Sequence, residues 1–279
     1  MGQLDNKVAI VTGATSGIGR RTAERFVEEG ARVVFCGRRA TLGEALEASL
    51  GRERCRFVAA DVTREADVQR VIETCVQAFG RVDCLFNNAG GPAPIGGIET
   101  IPVEGFDAAM ATLVRSVMLG MKHVAPLMIR QGSGSIINNG SIAGIRAGYS
   151  TSMVYSAAKA AVIHLSSCAA MQLGEAKVRV NCISPGGIAT GIFGKALGLP
   201  TEAAEQSAEA VKTGLEKLQP IPRAGLTDDI ANAAVFLASD ASSFVNGHNL
   251  VVDGGVTGGR QWSTAQQGYQ AMRQAFGLR

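Results

Sequence analysis

Short apolar runs alternate along the chain with stretches whose apolar residues recur at helical spacing. The runs predict seven strands, at residues 8–12, 32–36, 56–60, 82–87, 134–138, 178–183 and 250–252. Most of these runs are apolar on both faces, as strands of a parallel sheet covered by helices require. With no linker, repeat or low-complexity tract between them, they predict an α/β fold with one doubly wound parallel sheet, a single domain over residues 1–279.

Two insertions interrupt this alternation. Residues 91–97 form a Gly- and Pro-rich loop, and residues 186–225 separate two predicted strands. Both follow strands at their carboxyl ends, where ligands bind in sheets of this kind. We therefore expect both to border a substrate site. In the longer insertion, apolar residues at helical spacing predict a lid over that site, although such spacing also suits a core: Ile188, Ile192, Phe193, Leu197 and Leu199.

The last 24 residues, 256–279, carry a second amphipathic pattern. Trp262, Tyr269 and Phe276 recur every seven residues, with Met272 between them. This spacing predicts a tail helix with one apolar face, and such a face has to be covered. The cover could be the active site of the same chain or a neighbouring subunit, and a mobile tail is the alternative.

A glycine-rich turn follows the first predicted strand. Thr12-Gly13-Ala14-Thr15-Ser16-Gly17-Ile18-Gly19 leads from that strand into a helical pattern. Glycines let the backbone approach a phosphate closely, and a helix N-terminus offers free N–H groups to it. The spacing differs from the commonest dinucleotide fingerprint, GxGxxG, and a turn without a ligand is the alternative.

A tyrosine and a lysine stand four residues apart, fourteen residues after Ser141. On a helix, Tyr155 and Lys159 share one face. The pKa of a free tyrosine is about 10, and a nearby positive charge lowers it. A tyrosine tuned in this way can exchange a proton with an alcohol or carbonyl oxygen, which Ser141 could hold in place. Alone, the spacing also fits a lysine that covers the flank of a surface tyrosine.

Together these motifs resemble the short-chain dehydrogenase/reductase family, whose fold is Rossmann-like. The resemblance spans nearly the whole chain. Besides the glycine turn, Ser141 and the Tyr155/Lys159 pair, it rests on Asp61-Val62, Asn87-Asn88-Ala89-Gly90, Pro185-Gly186-Gly187-Ile188-Ala189-Thr190 and Val252-Asp253-Gly254-Gly255.

The resemblance implies a role for each motif. Tyr155 would pass the proton, Lys159 would lower the tyrosine pKa and bond the cofactor ribose, and Ser141 would hold the substrate oxygen. Asp61 would accept a bond from the adenine amine, with helix capping as a second role. The remaining implied cofactor residues are Gly13, Thr15, Ser16, Gly17, Ile18, Gly19, Val62, Asn88, Ala89, Gly90, Pro185, Gly186, Ile188 and Thr190, of which Asn88 suits a structural role as well.

The end of the second strand bears on the choice of cofactor. A site for NAD usually has an acid about 20 residues after the glycine turn, to bond the ribose 2′-hydroxyl. Gly37 stands there instead, followed by Arg38 and Arg39. Because a guanidinium pairs bidentately with a phosphate, we expect NADP, with NAD as the alternative.

One position departs from the family pattern. The family commonly has an asparagine in the helix before the serine strand, where it supports a proton relay from the lysine. Counting back from residues 120–126 places Leu113 there, with Thr112 and Ser116 nearby if the alignment shifts. Either a backbone carbonyl and a water replace the amide, or catalysis is slower.

Composition limits the other possibilities. The formal net charge is +3 and no block of basic residues occurs, which argues against nucleic acid. No apolar run of 18 residues and no signal-like N-terminus occurs, so we expect no membrane span and a cytoplasmic protein. The six cysteines are scattered, which indicates buried thiols. No acid or cysteine accompanies His123, His164 or His248 at metal-ligand spacing, so we expect ordinary histidines and no metal.

These features predict an NAD(P)-dependent oxidoreductase acting on a small molecule. Apolar residues near Ser141 favour a hydrophobic secondary alcohol or ketone: Ile142, Ala143, Ile145 and Tyr149. The nearby Arg146 leaves room for an acidic group. The resemblance implies a homo-oligomer, either a dimer or a tetramer. The alternatives are a non-catalytic NAD(P)-binding sensor or regulatory subunit, supported only by Leu113, and a dehydratase or epimerase.

Overall fold

Seven strands, all parallel, form the central sheet of a computed structural model that describes residues 2–278. Their order across the sheet is β3-β2-β1-β4-β5-β6-β7. The strands are β1 Val8–Thr12, β2 Arg32–Gly37, β3 Cys55–Ala59, β4 Cys84–Asn87, β5 Gly134–Asn139, β6 Val178–Pro185 and β7 Asn249–Val252. The predicted doubly wound sheet is confirmed.

The start of β4 differs from the sequence-based expectation of residue 82. The Asp83 carboxylate accepts a bond from the Val8 backbone N–H at 2.9 Å, and the Gln131 side chain bonds both backbone groups of Val82. Side chains therefore satisfy the backbone here, and strand pairing begins at Cys84.

Eleven α-helices connect and cover the strands in the described part of the chain. They are α1 Gly17–Glu28, α2 Ala40–Leu50, α3 Glu65–Phe79, α4 Val103–Met110, α5 Ser116–Gln131, α6 Met153–Gly174, α7 Ile192–Ala196, α8 Thr201–Gln206, α9 Ala208–Leu215, α10 Thr227–Ala238 and α11 Trp262–Ala275. A π-helical turn, Ala111–Arg115, joins α4 to α5.

The sheet lies between two helical layers. One core packs α1, α2 and α10 against it, with Phe26 and Ile230 fully buried. The other packs α3, α5 and α6 against the opposite face, with Met128 and Val162 fully buried. Because apolar side chains cover both faces, the strands are apolar throughout, which is why their sequences predicted them.

Five of the six cysteines belong to these buried layers, and all six are free thiols. Burial raises the pKa of Cys36, Cys75 and Cys84 to about 12 and that of Cys55 and Cys182 to about 11. Cys168 alone lies at the surface, on α6.

The order of the strands reverses between β1 and β4. The connection from β1 leads to β2 on one side, and the chain returns to β4 on the other. The loops after these two strands therefore diverge and leave a crevice beyond their carboxyl ends.

The long insertion contains three short helices, α7 to α9, and its apolar residues divide between core and surface. Ile188 is buried in the core and bridges to Gly225, and Phe193 packs against a cluster around Leu215. Leu197 is 80% exposed, so the residues do not form one apolar lid face. The helical spacing does not place these five residues on one face, because α7 is only five residues long and the other apolar residues lie outside it.

Helix α11 stands away from the sheet with its apolar side chains exposed. Trp262 is 78% exposed and Phe276 is 75% exposed, and no residue of the helix is buried. The loop before α6 contacts the start of the C-terminal segment, residues 256–279. In this contact the Tyr149 hydroxyl donates a bond to the Val256 carbonyl at 2.9 Å. None of the helices in residues 2–278 combines the length and apolar character that a membrane crossing needs.

Candidate active site

A cavity of about 470 Å³ lies in the crevice between β1 and β4. It extends from the glycine turn after β1, past the ends of β2 and β3, to Tyr155 and Lys159 on α6. The segment after β6 and the helices α7 and α8 border its other side. Most residues expected to bind a cofactor line it: Gly13, Thr15, Ser16, Gly17, Ile18, Arg38, Arg39, Asp61, Val62, Asn88, Ala89, Gly90, Tyr155, Lys159 and Thr190.

The glycine turn has the shape that a phosphate site needs. Gly13 has φ +68° and would place a Cβ 2.7 Å from the Ala89 backbone, so a larger residue is excluded there. Gly17, with φ +56°, begins α1 and faces the Thr190 side chain across the cavity. The N–H groups at the start of α1 are therefore open to a phosphate.

Four expected cofactor residues do not line the cavity. A Cβ on Gly19 would lie 2.4 Å from the Asn88 amide, and one on Gly186 would lie 2.7 Å from Asp253. Both glycines serve close packing of the chain. Pro185 ends β6, and the Ile188 side chain is in the core. Their roles toward a cofactor stay predictions that concern the backbone.

Asn88 is anchored to the glycine turn. Its side-chain amide donates to the Thr12 carbonyl at 3.0 Å and accepts a bond from Asn139 Nδ2 at 3.0 Å. Thr12 Oγ1 in turn accepts the backbone N–H groups of Asn88 and Ala89, both at 3.0 Å. These bonds fix the loop after β4 against the turn after β1.

Asp61 caps its own turn instead of the next helix. Its carboxylate accepts the Thr63 backbone N–H at 3.0 Å and the Thr63 hydroxyl at 2.8 Å. These bonds, led by the backbone N–H, hold the pKa of Asp61 below its usual value, so the carboxylate stays ionised. Helix α3 begins later, at Glu65, with Arg64 at the cap position, so the expected helix capping by Asp61 is wrong.

Ser141, Tyr155 and Lys159 meet at the inner end of the cavity. Ser141 follows β5, and its hydroxyl lies near that of Tyr155, where it accepts the Ala143 backbone N–H at 3.2 Å. Ser152 starts α6 by accepting the Tyr155 backbone N–H at 3.1 Å, which places Tyr155 in the first helical turn. Lys159 lies one turn later, and its Nζ is 5.6 Å from the centre of the Tyr155 ring.

Burial dominates the electrostatics of this group. It raises the pKa of Tyr155. It lowers the pKa of Lys159 to about 8, because the ammonium is only 4% exposed. Lys159 Nζ donates to the Asn139 carbonyl at 2.6 Å. Among the protein's own groups, the Ser141 hydroxyl opposes the rise in the tyrosine pKa.

The two arginines after β2 occupy different positions. Arg39 folds back on the glycine turn, where its guanidinium donates to the Thr15 hydroxyl at 3.0 Å and to the Ser16 hydroxyl at 2.6 Å. Arg38 is exposed at the cavity edge near Asp61 and helps to lower the pKa of that carboxyl. A Cβ on Gly37 would lie 2.7 Å from the Thr15 methyl group, so the site has no room for a side chain there.

Leu113 lines the cavity as an apolar wall. It is 1% exposed, lies in the π-helical turn and packs with Val154 and Ala158 of α6. Thr112 also lines the cavity, whereas Ser116 turns back to donate to the Thr112 carbonyl at 2.6 Å. The expected departure from the family pattern thus lies beside Tyr155 and Lys159.

Three polar residues of the cavity were not foreseen. Asn139 receives Lys159, and its side-chain Oδ1 is buried without a donor in the described chain. Lys195 and Glu205 come from α7 and α8 and face the glycine turn. Two consecutive asparagines at the end of a strand could have indicated the first, but no local pattern indicates the other two.

The cavity fits a nicotinamide dinucleotide along its length. The glycine turn suits the phosphates of the dinucleotide. Asp61 and Val62 lie at the end of the cavity that suits the adenine, and Tyr155 and Lys159 lie at the end that suits the nicotinamide. Within residues 2–278, no group of three or more His, Cys, Asp and Glu side chains could hold a metal ion.

Comparison with known proteins agrees with this geometry. The family described as Enoyl-(Acyl carrier protein) reductase matches residues 13–257. The chain is 40% identical over 261 residues to Momilactone A synthase of Oryza sativa subsp. japonica, covering 91% of each protein. It is 35% identical over 255 residues to Secoisolariciresinol dehydrogenase of Forsythia intermedia, covering 91% of this chain and 90% of that one.

A comparison with solved structures finds the same fold in another protein. The crystal structure of Levodione Reductase superposes with a TM-score of 0.82 and 32% sequence identity. The match covers 92% of this chain and 100% of that chain. The sheet and the crevice therefore belong to a fold already seen in an oxidoreductase.

The buried ammonium of Lys159 should cost stability. Because its folded-state pKa of about 8 lies below the ordinary 10.5, the unfolded chain binds more protons between these values, and stability rises with pH across that window. A shift of this size corresponds to roughly 3 kcal/mol. We expect Lys159→Met to raise the melting temperature of the free protein at pH 7, with the gain shrinking toward pH 10. Thermal unfolding at several pH values measures this, with Lys212→Met at the surface as control.

A gain that was absent at pH 7, or that did not change with pH, would contradict this account of Lys159.

The apolar wall at Leu113 generates a second expectation. Leu113→Asn buries an amide among Val154 and Ala158, and an unpaired buried amide costs about 1–3 kcal/mol. We expect lower stability with turnover unchanged or raised, measured by denaturant unfolding and steady-state kinetics. Leu113→Met, which keeps the apolar volume, is the control. A stable Leu113→Asn protein that lost most activity would show that leucine has a positive role in the pocket.

Proposed function

The chain belongs to the short-chain dehydrogenase/reductase family of oxidoreductases, and we propose that it transfers a hydride between a nicotinamide cofactor and a hydrophobic secondary alcohol or ketone. The convergence of Ser141, Tyr155 and Lys159 at one end of a dinucleotide-sized cavity carries this proposal. The similarity to proteins called a dehydrogenase and a reductase supports it.

Each of the three residues has a distinct task. When bound, the nicotinamide ring supplies the donor or acceptor of the hydride. Ser141 holds the substrate oxygen beside Tyr155, because its hydroxyl lies near that of Tyr155. Tyr155 moves a proton to or from that oxygen, and Lys159 places a positive charge beside the developing phenolate.

The raised pKa of Tyr155 gives the hydroxyl its proton at neutral pH. A protonated phenol is ready to donate to the oxygen of a ketone as hydride arrives at the carbon. Oxidation of an alcohol needs the phenolate form of Tyr155. The Lys159 ammonium would stabilise that phenolate only at a pH below the lysine pKa of about 8, where Lys159 is protonated.

The preferred cofactor in this proposal is NADP. Arg38 is exposed at the edge of the cavity beside Asp61, where the adenosine end would lie, and no acid is present at Gly37. An arginine there can pair with a 2′-phosphate through two hydrogen bonds. Arg39 is held by the Thr15 and Ser16 hydroxyls, so we assign the 2′-phosphate to Arg38.

A cavity next to the candidate active site supports an apolar substrate. A second cavity of about 470 Å³ adjoins the first and shares Pro92, Thr112 and Lys195 with it. Apart from Thr112 and Lys195, its lining is apolar or glycine: Pro92, Ala93, Pro94, Ile95, Gly105, Ala108, Ala109, Ala196 and Gly198. Both insertions contribute to this lining, which supports their proposed place at the substrate site.

We also propose a homo-oligomer, a dimer or a tetramer. The exposed aromatic side chains of α11 support this, because an apolar helix face of this kind gains stability when a neighbouring molecule covers it. The six free thiols are consistent with a reducing, cytoplasmic location.

Removal of the tyrosine hydroxyl tests the proposed proton transfer. We expect Tyr155→Phe to lower kcat by roughly 10²–10⁴, the usual contribution of a general acid or base. The Kd of the cofactor should change little, since only the hydroxyl is lost. Tyr269→Phe, at an exposed tyrosine on α11 that does not line the cavity, is the matched control. Wild-type turnover in Tyr155→Phe would refute the assignment of Tyr155. A wild-type protein that bound the dinucleotide but turned over none of the ketones or alcohols tested would favour the non-catalytic alternative.

Cofactor choice can be tested at Gly37, provided that Thr15 is changed too. Thr15→Ser removes the methyl group that would clash with a Cβ at residue 37 and keeps the hydroxyl that Arg39 bonds. Combined with Gly37→Asp and Arg38→Ala, it should lower the ratio of kcat/KM for NADP to that for NAD by roughly ten- to hundredfold, since a bond to a charged group contributes about 1.5–3 kcal/mol.

Arg54→Ala, an exposed arginine outside the cavity, serves as the control for that experiment. A wild-type protein with a clear preference for NAD in kcat/KM would refute the assignment of Arg38.

A further inference from the structure

An ion cluster joins the long insertion to the glycine turn. Glu205 of α8 accepts a bond from Lys195 of α7 at 2.6 Å and from Arg39 at 3.3 Å, both on the same carboxylate oxygen. The Ser16 hydroxyl lies near the same carboxylate and helps to lower its pKa. Each of the three charged side chains is about 30% exposed, so the cluster is only partly screened by water.

The Glu205 carboxylate is ionised. Burial by itself would raise its pKa, but the bond from Lys195, the nearby Ser16 hydroxyl and the charges of Lys195 and Arg39 outweigh that effect and lower the pKa below its usual value. The cluster therefore consists of two cations and one anion at neutral pH.

The cluster lies where the phosphates of a dinucleotide would bind. Ser16 is the residue immediately before α1, and its hydroxyl also accepts a bond from Arg39 at 2.6 Å. Lys195 and Glu205 line the same cavity as Gly13 and Gly17. A carboxylate bound by an arginine and a lysine beside a helix N-terminus uses donors that a phosphate would use.

We propose that Glu205 is a latch that holds the α7–α8 segment over the phosphate site, and that a phosphate group of the cofactor displaces its carboxylate and takes over Arg39 and Lys195. This proposal rests on the proposed function. Lys195 becomes a cofactor-binding residue in the exchange, so the segment stays closed by a new bond when Glu205 leaves.

Electrostatics favours an exchange over coexistence. The Glu205 carboxylate and a phosphate at Ser16 would be like charges in a partly buried site, and such charges repel. Arg39 and Lys195 can donate to either anion, and both now donate to the same carboxylate oxygen of Glu205. The cofactor phosphate therefore competes with the Glu205 carboxylate for Arg39 and Lys195. This competition lowers the affinity for the cofactor below that of a site in which Arg39 and Lys195 are free.

Glu205→Gln tests the latch because it removes the charge and keeps the shape. We expect the Kd of NADP and of ADP to fall by roughly two- to fivefold, the range expected for partly exposed ion pairs, and that of adenosine to stay the same. In this background, Lys195→Gln should raise the Kd of NADP again. Glu209→Gln, which breaks the exposed pair with Lys212 on α9, is the matched control.

Trypsin cleavage of residues 195–217 gives a readout that does not depend on turnover. Without ligand, Glu205→Gln should be cleaved several-fold faster than the wild-type protein, and NADP should protect both equally. A tighter Kd for NAD as well as NADP assigns the exchange to the pyrophosphate, and a tighter Kd for NADP alone assigns it to the 2′-phosphate.

The latch is overturned if Glu205→Gln leaves the Kd unchanged or weakens binding, if adenosine gains as much as ADP, or if cleavage without ligand does not accelerate. If the wild-type protein and the variant bound neither dinucleotide, the proposed function would fail and the latch with it. Equal binding of a dinucleotide by both proteins would refute the latch alone.

Discussion

Four asparagine amides at the carboxyl ends of β4 and β5 fix the geometry on which the site depends. Asn87 bonds Asn138 at 2.9 Å, and Asn138 continues to Ser166 on α6 at 2.9 Å. Asn88 and Asn139, one residue further along each strand, bond each other and reach the glycine turn. A buried amide left unpaired costs about 1–3 kcal/mol, so the registers of β1, β4, β5 and α6 are set together.

The lysine illustrates what this rigid frame makes possible. Lys159 is held by the Asn139 carbonyl in surroundings that otherwise disfavour an ammonium. A flexible site would relax around it or admit water, and the pKa would return toward its usual value. Strong perturbation of a titratable group in a cleft is typical of functional sites, and here it coincides with the predicted catalytic face of a helix.

The sequence predicted the strands and helix faces, which follow from local residue patterns. It did not predict contacts between residues that are far apart along the chain. Apolar runs such as residues 8–12 identified the strands, because burial on both faces of a sheet leaves that pattern. The four-residue interval between Tyr155 and Lys159 placed both on one helical face. Glu205, in contrast, lies 166 residues after Arg39, and only the fold brings the two side chains together. Residues that meet across the cavity therefore had to be read from the structure.

The distribution of the thiols makes the protein a reporter of its own unfolding. Five cysteines are buried and burial raises the pKa of each, so at neutral pH they are protonated and out of reach of alkylating reagents. Cys168 is the one thiol left at the surface. A brief pulse of a thiol reagent would therefore modify one site in the native chain and six in an unfolded one. The mass of the labelled chain then counts the unfolded molecules directly, without a dye, an engineered residue or any assay of turnover.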